Sequence, residues 1–331
     1  MIFYWEYNHL GQVMKPGKVV VACMRNEALY VVEWVAHHLS IGFDRIVVYT
    51  NDCDDGTDRL LALLGQDAPV EHHPNPGPYE MGSIQKQALH MAYQLDHVRD
   101  ADWAIHIDAD EFVNVTTGGR KVDDLVALYP EADAIAVMWR HFGSAGKAVW
   151  EGGSVVESFT RCEDPLPDLA GGGPVGFKTL FRPRNFGMMG VHSPKLPKAG
   201  VPRVVNAAGV EMPVEKLLSL RGSDYEAAAH HLTWENACLH HHHVKSDDLH
   251  RLKRARGDAN GRRNGKRKIG SAFYTASNRN DAESLSLVEL RPEVRAWEDR
   301  LRAIPGVAEV EAAAWDWFRA HYQPAGAAEA S

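Results

Sequence analysis

The stretch Asp102-Trp103-Ala104-Ile105-His106-Ile107-Asp108-Ala109-Asp110-Glu111-Phe112 decides how this chain is read. Trp103–Ile107 is a short apolar run and reads as a buried strand. Asp108-Ala109-Asp110-Glu111 caps its end. In open α/β sheets, ligands bind beyond the carboxyl ends of the strands, so these acids stand where a site is expected. Two carboxylates at i and i+2 point the same way on an extended backbone. Hard divalent cations such as Mn²⁺ and Mg²⁺ prefer such oxygens and leave places for phosphate oxygens. A solvated acidic turn is the plainer reading of the same residues.

Outward from this strand, the pattern repeats. Val19–Met24 is another buried run. Asn26 follows where a helix N-cap belongs, with Glu27 in the first turn. Val32, Val35, Ala36 and Leu39 recur at helical spacing until Gly42. Arg45–Thr50 is a second strand, Asn51–Gly56 a polar turn, Thr57–Leu64 a helix and Val70–His73 a third strand. Pro74-Asn75-Pro76-Gly77-Pro78 forbids helix. Ile84, Ala88, Met91, Leu95 and Val98 mark one helix from Ser83 to Val98. Downstream, Val122–Leu128 reads as helix and Ala134–Trp139 as strand. This alternation predicts an α/β fold with a mostly parallel, Rossmann-like sheet covered by helices on both faces. Beyond Arg140, Gly143–Gly153 and Pro165–Gly176 are loop-rich, and Pro183, Pro194, Pro197 and Pro202 interrupt the chain. Val307, Val310, Ala314, Trp317 and Tyr322 return to helical spacing, and Pro324–Ser331 reads as a frayed end.

The 331 residues are 45% hydrophobic and 24% charged, which excludes collagen-like, disulfide-framework and wholly disordered classes. No apolar run approaches the about 20 residues of a membrane helix. Met1–Leu10 lacks a basic n-region and carries Glu6, which argues against a secretory leader. Four scattered cysteines without a CxxC pair suit a reduced, cytoplasmic setting. Lys245–Lys268 holds ten Lys/Arg against three Asp, a local +7 inside a chain of net charge −8. That asymmetry suggests a local anionic partner.

Two further segments carry chemistry. His240-His241-His242-His243 lies inside the chain, which argues against a tag. Four consecutive histidines cannot all face one metal, but alternate ones can in an extended segment. Packing residues are the plainer reading, as they are for His230-His231. Asn51–Asp55 offers amide and acidic groups that suit ribose hydroxyls or a base edge, and it is equally an ordinary turn.

Taken in order, these segments resemble the GT-A-fold glycosyltransferases of the family two type, especially the branch related to family 92. The resemblance rests on Ala22-Cys23-Met24-Arg25-Asn26-Glu27, Glu33-Trp34-Val35, His37-His38, Asn51–Thr57 and the Asp108-Ala109-Asp110 (DXD) motif. It continues through Trp139–Ser144, Glu157-Ser158-Phe159, Phe177–Pro183 and Val191–Pro194. It ends at His241-His242-His243-Val244-Lys245-Ser246, similar to an H-Y-x-x-K-S pattern but with His242 for the aromatic residue, followed by Lys253 and Arg256-Gly257. It covers about residues 18–257.

The resemblance implies a GT-A-like catalytic domain over residues 1–257, with a nucleotide-sugar half at about 18–140 and an acceptor half at about 141–257. Residues 258–331 would form a basic segment and C-terminal helical extension. The implied activity is metal-dependent, inverting transfer of a hexose from a nucleotide sugar, UDP-linked by mild preference, to a glycan or lipid-linked hydroxyl in polysaccharide biosynthesis. Asp108, Asp110 and His241 would hold Mn²⁺ or Mg²⁺ against the leaving diphosphate. Arg25, Asn26, Glu27, Asn51, Asp52, Asp108, Lys178 and Lys245 would bind the donor. Glu157, ahead of Glu163 and Asp164, would deprotonate the acceptor. His192 and Trp139 would contact the acceptor. The basic segment would touch the inner face of a membrane peripherally. A metal-dependent phosphoesterase and a nucleic-acid-binding protein using residues 245–268 are the alternatives. Sparse aromatic interleaving and a charge of −15 elsewhere speak against the latter.

Overall fold

Val19 to Met24 alternate between two faces, and this alternation builds the molecule. Val20, Ala22 and Met24 enter one apolar core, while Val19 and Val21 enter another on the opposite side of the sheet. The computed structural model describes residues 17–166, 176–217, 229–257 and 268–323. Residues 167–175 of the Pro165–Gly176 loop, Arg262, Arg263, Lys266 and Arg267 of the basic segment, and Pro324–Ser331 lie outside them.

The strands are β1 (Lys18–Met24), β2 (Arg45–Thr50), β3 (Val70–Pro74), β4 (Trp103–His106), β5 (Glu111–Val115), β6 (Ala134–His141), β7 (Arg161–Cys162), β8 (Phe177–Phe181), β9 (Phe186–Met188), β10 (Lys195–Pro197), β11 (Val204–Asn206), β12 (Ala237–His241) and β13 (Ala282–Glu283). The main sheet runs β3-β2-β1-β4-β8-β6-β12-β5, with β11 also paired to β6. β1, β2, β3 and β4 are mutually parallel, as are β6, β11 and β12. β8 and β5 run antiparallel to their neighbours. The expected α/β class and mostly parallel, helix-flanked sheet are therefore observed.

The helices are α1 (Val31–Ser40), α2 (Thr57–Leu64), α3 (Ile84–Ala92), α4 (Asp96–Arg99), α5 (Val122–Leu128), α6 (Val155–Ser158), α7 (Val214–Leu217), α8 (Asp247–Arg256), α9 (Ala272–Ser277), α10 (Arg291–Arg302) and α11 (Val307–Tyr322). α1 is buried from Val31 through Leu39, which includes Glu33, His37 and His38. It lies against β5 on one side and α10 on another. α11 packs on α2 and α8, and Val310, Ala314 and Phe318 join the core that contains α1. Among the described residues, no helix is long and apolar enough to cross a membrane.

Two local expectations are corrected. Asn26 does not cap α1, which begins at Val31 after Tyr30. Asn26 instead takes a left-handed φ of 54° and bonds the Asp54 amide at 2.8 Å. That bond ties the loop after β1 to the loop after β2. The helix expected over Ser83–Val98 breaks into α3 and α4. The Tyr93 hydroxyl bonds the Pro183 carbonyl at 2.7 Å, and Leu95 is extended, so the chain turns there. Ser83 caps α3 through the Lys86 amide.

Arg291 locks α1, α6 and α10 together. Its guanidinium binds Glu298 at 2.9 Å, Glu157 at 3.1 Å and Glu33 at 3.5 Å. Removing one partner of a buried ion network strands the remaining charges, at a cost of about 3 kcal/mol or more. Arg291→Met should therefore lower the unfolding free energy by a comparable amount, read as a lower urea midpoint, and an unchanged midpoint would show that this network is not structural.

Candidate active site

Parallel strands place their carboxyl ends on one edge. The loops after β1, β2 and β4 therefore share that edge, carrying Arg25–Glu27, Asn51–Asp55 and Asp108–Asp110. β12 comes to the same edge by pairing with β5, where His241 lies opposite Glu111. The His242 amide donates to the Asp110 carbonyl at 2.8 Å and closes the junction.

The Asp108–Asp110 segment is a turn, not extended strand, and its two carboxylates part company. Asp108 accepts from Gln85 at 2.9 Å and from the Lys178 ammonium at 3.1 Å. Asp110 turns the other way, with His241 Nε2 at 3.7 Å and His243 Nδ1 at 4.0 Å from its Oδ2. Donor atoms of Asp110, His241 and His243 all lie within 4.8 Å of one another, and all three residues are buried. The alternate pair of the histidine run is thus the pair that converges. Of the expected metal set Asp108, Asp110 and His241, the structure brings Asp110 and His241 together with His243, while Asp108 lies apart on Gln85 and Lys178.

One carboxylate and two imidazoles form a donor set suited to a first-row divalent cation. The nitrogen that His241 turns to Asp110 is Nε2, at 3.7 Å, while its Nδ1 is buried without a hydrogen-bond partner among the described residues. The residues present therefore fit such an ion. Burial pushes the Asp110 carboxyl up, but Lys253 and His241 outweigh it and hold the carboxyl well below the usual range. Asp108 is likewise lowered, with Lys178 overcoming burial. Glu111 behaves in the opposite way. Burial and the nearby Asp108 and Asp110 charges push it up to about 8, although Lys178 lies 3.5 Å away. Its Oε2 accepts the Asp108 amide at 2.8 Å and fixes the turn.

The residues expected to bind the donor lie on the loops of this edge. Arg25 bonds the Asp52 carbonyl at 3.0 Å, Asn51 bonds the Asp52 carboxylate at 3.1 Å, and Asp52 has a left-handed φ of 45°. Glu27 is not a helix-start charge: it is buried and paired with Arg256 and the Tyr30 hydroxyl. Lys245 sits over the Tyr30 ring at 4.4 Å, and burial lowers its ammonium to about 8.

On the acceptor side, Trp139 lies 4.6 Å from the His241 ring and 5.6 Å from that of His192. A Cβ at Gly176 would stand 1.6 Å from the Trp139 ring, so only glycine fits beneath it. Glu157 is not brought to the cluster. Arg291 and Arg295 hold it beside α10. Glu163 lies closer: buried, it accepts the His141 amide at 3.4 Å, and the His141 ring is 5.3 Å from His241. Burial raises the Glu163 carboxyl. Sequence reasoning missed His243, Gln85 and Glu111 as site residues. The alternation of the histidine run was the one signal for His243 and the acidic cap at the strand end the one for Glu111, while Gln85 had none.

The family model for glycosyltransferase family 92 matches residues 18–212, and the chain belongs to that family. It is similar to a glycosyltransferase family 92 protein of Oryza sativa, 25% identical over 146 residues, covering 43% of this chain and 24% of that one. A family 92 protein of Ricinus communis is 28% identical over 107 residues, covering 31% of this chain and 18% of that one. The matched region thus spans about a quarter or less of these curated relatives. Among solved structures, S. aureus TarS 1–349 is 13% identical, with a TM-score of 0.35 over 91% of this chain and 89% of that one. TarS 1–349 in complex with UDP is 14% identical, with a TM-score of 0.30 over 50% of this chain and 46% of that one.

Burial also governs several histidines. It lowers His37 and His192 to about 4 and His106 to about 3, and Lys178 adds to the effect on the last two. The unfolded chain binds protons that these folded sites refuse. Stability should therefore be greatest above about pH 6.5 and fall as the pH drops toward 4. Glu111, raised to about 8, acts with the opposite sign, but it is one group against several. Calorimetric melting between pH 7 and 5 in the presence of a chelator should show the midpoint falling; a flat profile would contradict the neutral histidines.

Proposed function

We propose that this chain transfers a sugar from a nucleotide-diphosphate donor to a hydroxyl acceptor, with a divalent cation, Mn²⁺ or Mg²⁺, held by Asp110, His241 and His243. The observation that carries this reading is the convergence of that triad beside the loops after β1 and β2. When bound, the cation offsets the charge that grows on the departing diphosphate. Arg25, Asn26, Asn51 and Asp52 bind the nucleoside, and a uridine nucleotide is the first to test. Lys178 keeps Asp108 ionised for the ribose or phosphate side. Lys245 adds a cation whose burial, which lowers it to about 8, is offset only in part by the Tyr30 ring and the nearby Asp110 and Glu27. Trp139 offers its ring to the acceptor sugar, with His192 beside it.

The transfer is inverting, and Glu163 takes the acceptor proton in place of Glu157. Glu163 is buried and raised even with Arg279 at 3.4 Å, which suits a general base better than the two arginine contacts that hold Glu157 away from the cluster. The acceptor is a glycan or lipid-linked hydroxyl met in the cytoplasm, where the basic segment engages an anionic surface.

Titration calorimetry with nucleoside diphosphates, with and without Mn²⁺, tests the donor reading. Metal-dependent binding should weaken by about 100-fold in Asp110→Asn. Nucleotide binding that ignores both metal and variant would defeat the metal assignment, and binding of no nucleotide would defeat the donor reading. Glu163→Gln should lower kcat by about 100-fold or more with donor affinity intact. Glu157→Gln should chiefly cost stability; the reverse pattern would restore Glu157 as the base.

A further inference from the structure

Lys253 stands inside the group formed by Asp110, His241 and His243. α8 carries it, and α8 is fixed near both ends. Asp248 accepts from the Trp150 amide at 3.0 Å, and Arg256 pairs with Glu27. The Lys253 ammonium donates to Asp110 Oδ2 and lies 2.9 Å from His243 Nδ1. These are the same two atoms that face each other across the triad. An ammonium only donates, so His243 Nδ1 must present a lone pair to it. That is also the form in which an imidazole binds a metal. The amine therefore keeps Asp110 ionised and His243 in the ligand tautomer, while it engages the lone pairs a metal needs. One carboxylate oxygen and one imidazole nitrogen cannot serve both cations at full strength, and two cations at such a distance repel.

We propose that Lys253 is a built-in competitor of the divalent cation: it prepares Asp110 and His243 for metal and must leave them before metal enters. The inference rests on the triad being the metal site described above. A displaced ammonium beside a metal favours an incoming diphosphate, so metal and nucleotide should bind with mutual help.

Mn²⁺ binding to the full-length protein, read by the loss of the free-ion paramagnetic resonance signal, tests this directly. Lys253→Met should bind Mn²⁺ about tenfold more tightly than the parent, the equivalent of one charged hydrogen bond no longer displaced. Lys253→Arg should not bind more tightly. Unchanged or weaker binding in folded Lys253→Met would overturn the proposal. An equal gain in Lys245→Met would also overturn it, since Lys245 shares the local field but not the bonds to Asp110 and His243. Mn²⁺ binding by neither parent nor variant, with UDP still bound, would remove the metal site and this inference while leaving the donor reading intact. If Lys253→Met does not fold, the parent decides: Mn²⁺ should speed reductive methylation of Lys253, and an unchanged rate would refute displacement.

Discussion

The antiparallel pairing of β5 with β12 is the constraint on which the rest of the site depends. It sets Glu111 against His241 and Val115 against Ala237. Through it, two residues far apart in sequence meet at one sheet edge. The register matters more than the contact. A slip by one residue would turn His241 and His243 to the opposite face and bring His240 and His242 toward Asp110. Several groups hold that register. Trp34 bonds the Glu111 carbonyl at 2.9 Å, His37 bonds the Val113 carbonyl at 2.8 Å, and Asn114 reaches His240 at 3.1 Å. α1, buried from Val31 through Leu39, thus acts as a clamp on β5.

Buried charges are dense here, and three ion pairs match them: Lys178 answers the half-exposed Asp108, Lys253 answers Asp110, and Arg256 answers Glu27. Unmatched, a buried member such as Lys178, Asp110 or Glu27 would cost several kcal/mol. Matched, they create a polar floor whose protonation states differ from those in water. Glu111 is the residue that yields: with two lowered carboxyls beside it, it is the one pushed up to about 8. The C-terminal helices complete this arrangement from outside. α10 covers α1, and α11 covers α2, so the segment after β12 stabilises the loops that begin the chain.

Much of the architecture was legible because burial on both faces leaves continuous apolar runs. β1, β2, β4 and the first part of β6 announced themselves in this way, whereas the half-buried β3, Val70–Pro74, was read from its place in the alternation. Glu111–Val115, Phe177–Phe181 and Ala237–His241 did not, because buried Glu111, Asn114, Lys178, His240 and His241 interrupt their apolar character. Those strands carry the site, so the sequence was least readable where the chemistry lies. The histidine run showed that alternate members can converge, but not which pair, since register is a tertiary property. Asn26 looked like a helix cap because its residue type serves both as a cap and in a left-handed turn. Glu157 looked like a base by its segment, and only the fold reveals that Arg291 and Arg295 hold it.

Asp110, His241 and His243 converge at one edge of the sheet, where the proposed cation would bind. Anomalous diffraction at the manganese edge, from crystals grown with Mn²⁺ and a nucleoside diphosphate, measures it most directly. One strong peak is expected within about 2.3 Å of the Asp110 carboxylate and both imidazoles. A peak bound by Asp108 without His243, or ordered nucleotide with no manganese at this edge, would contradict it.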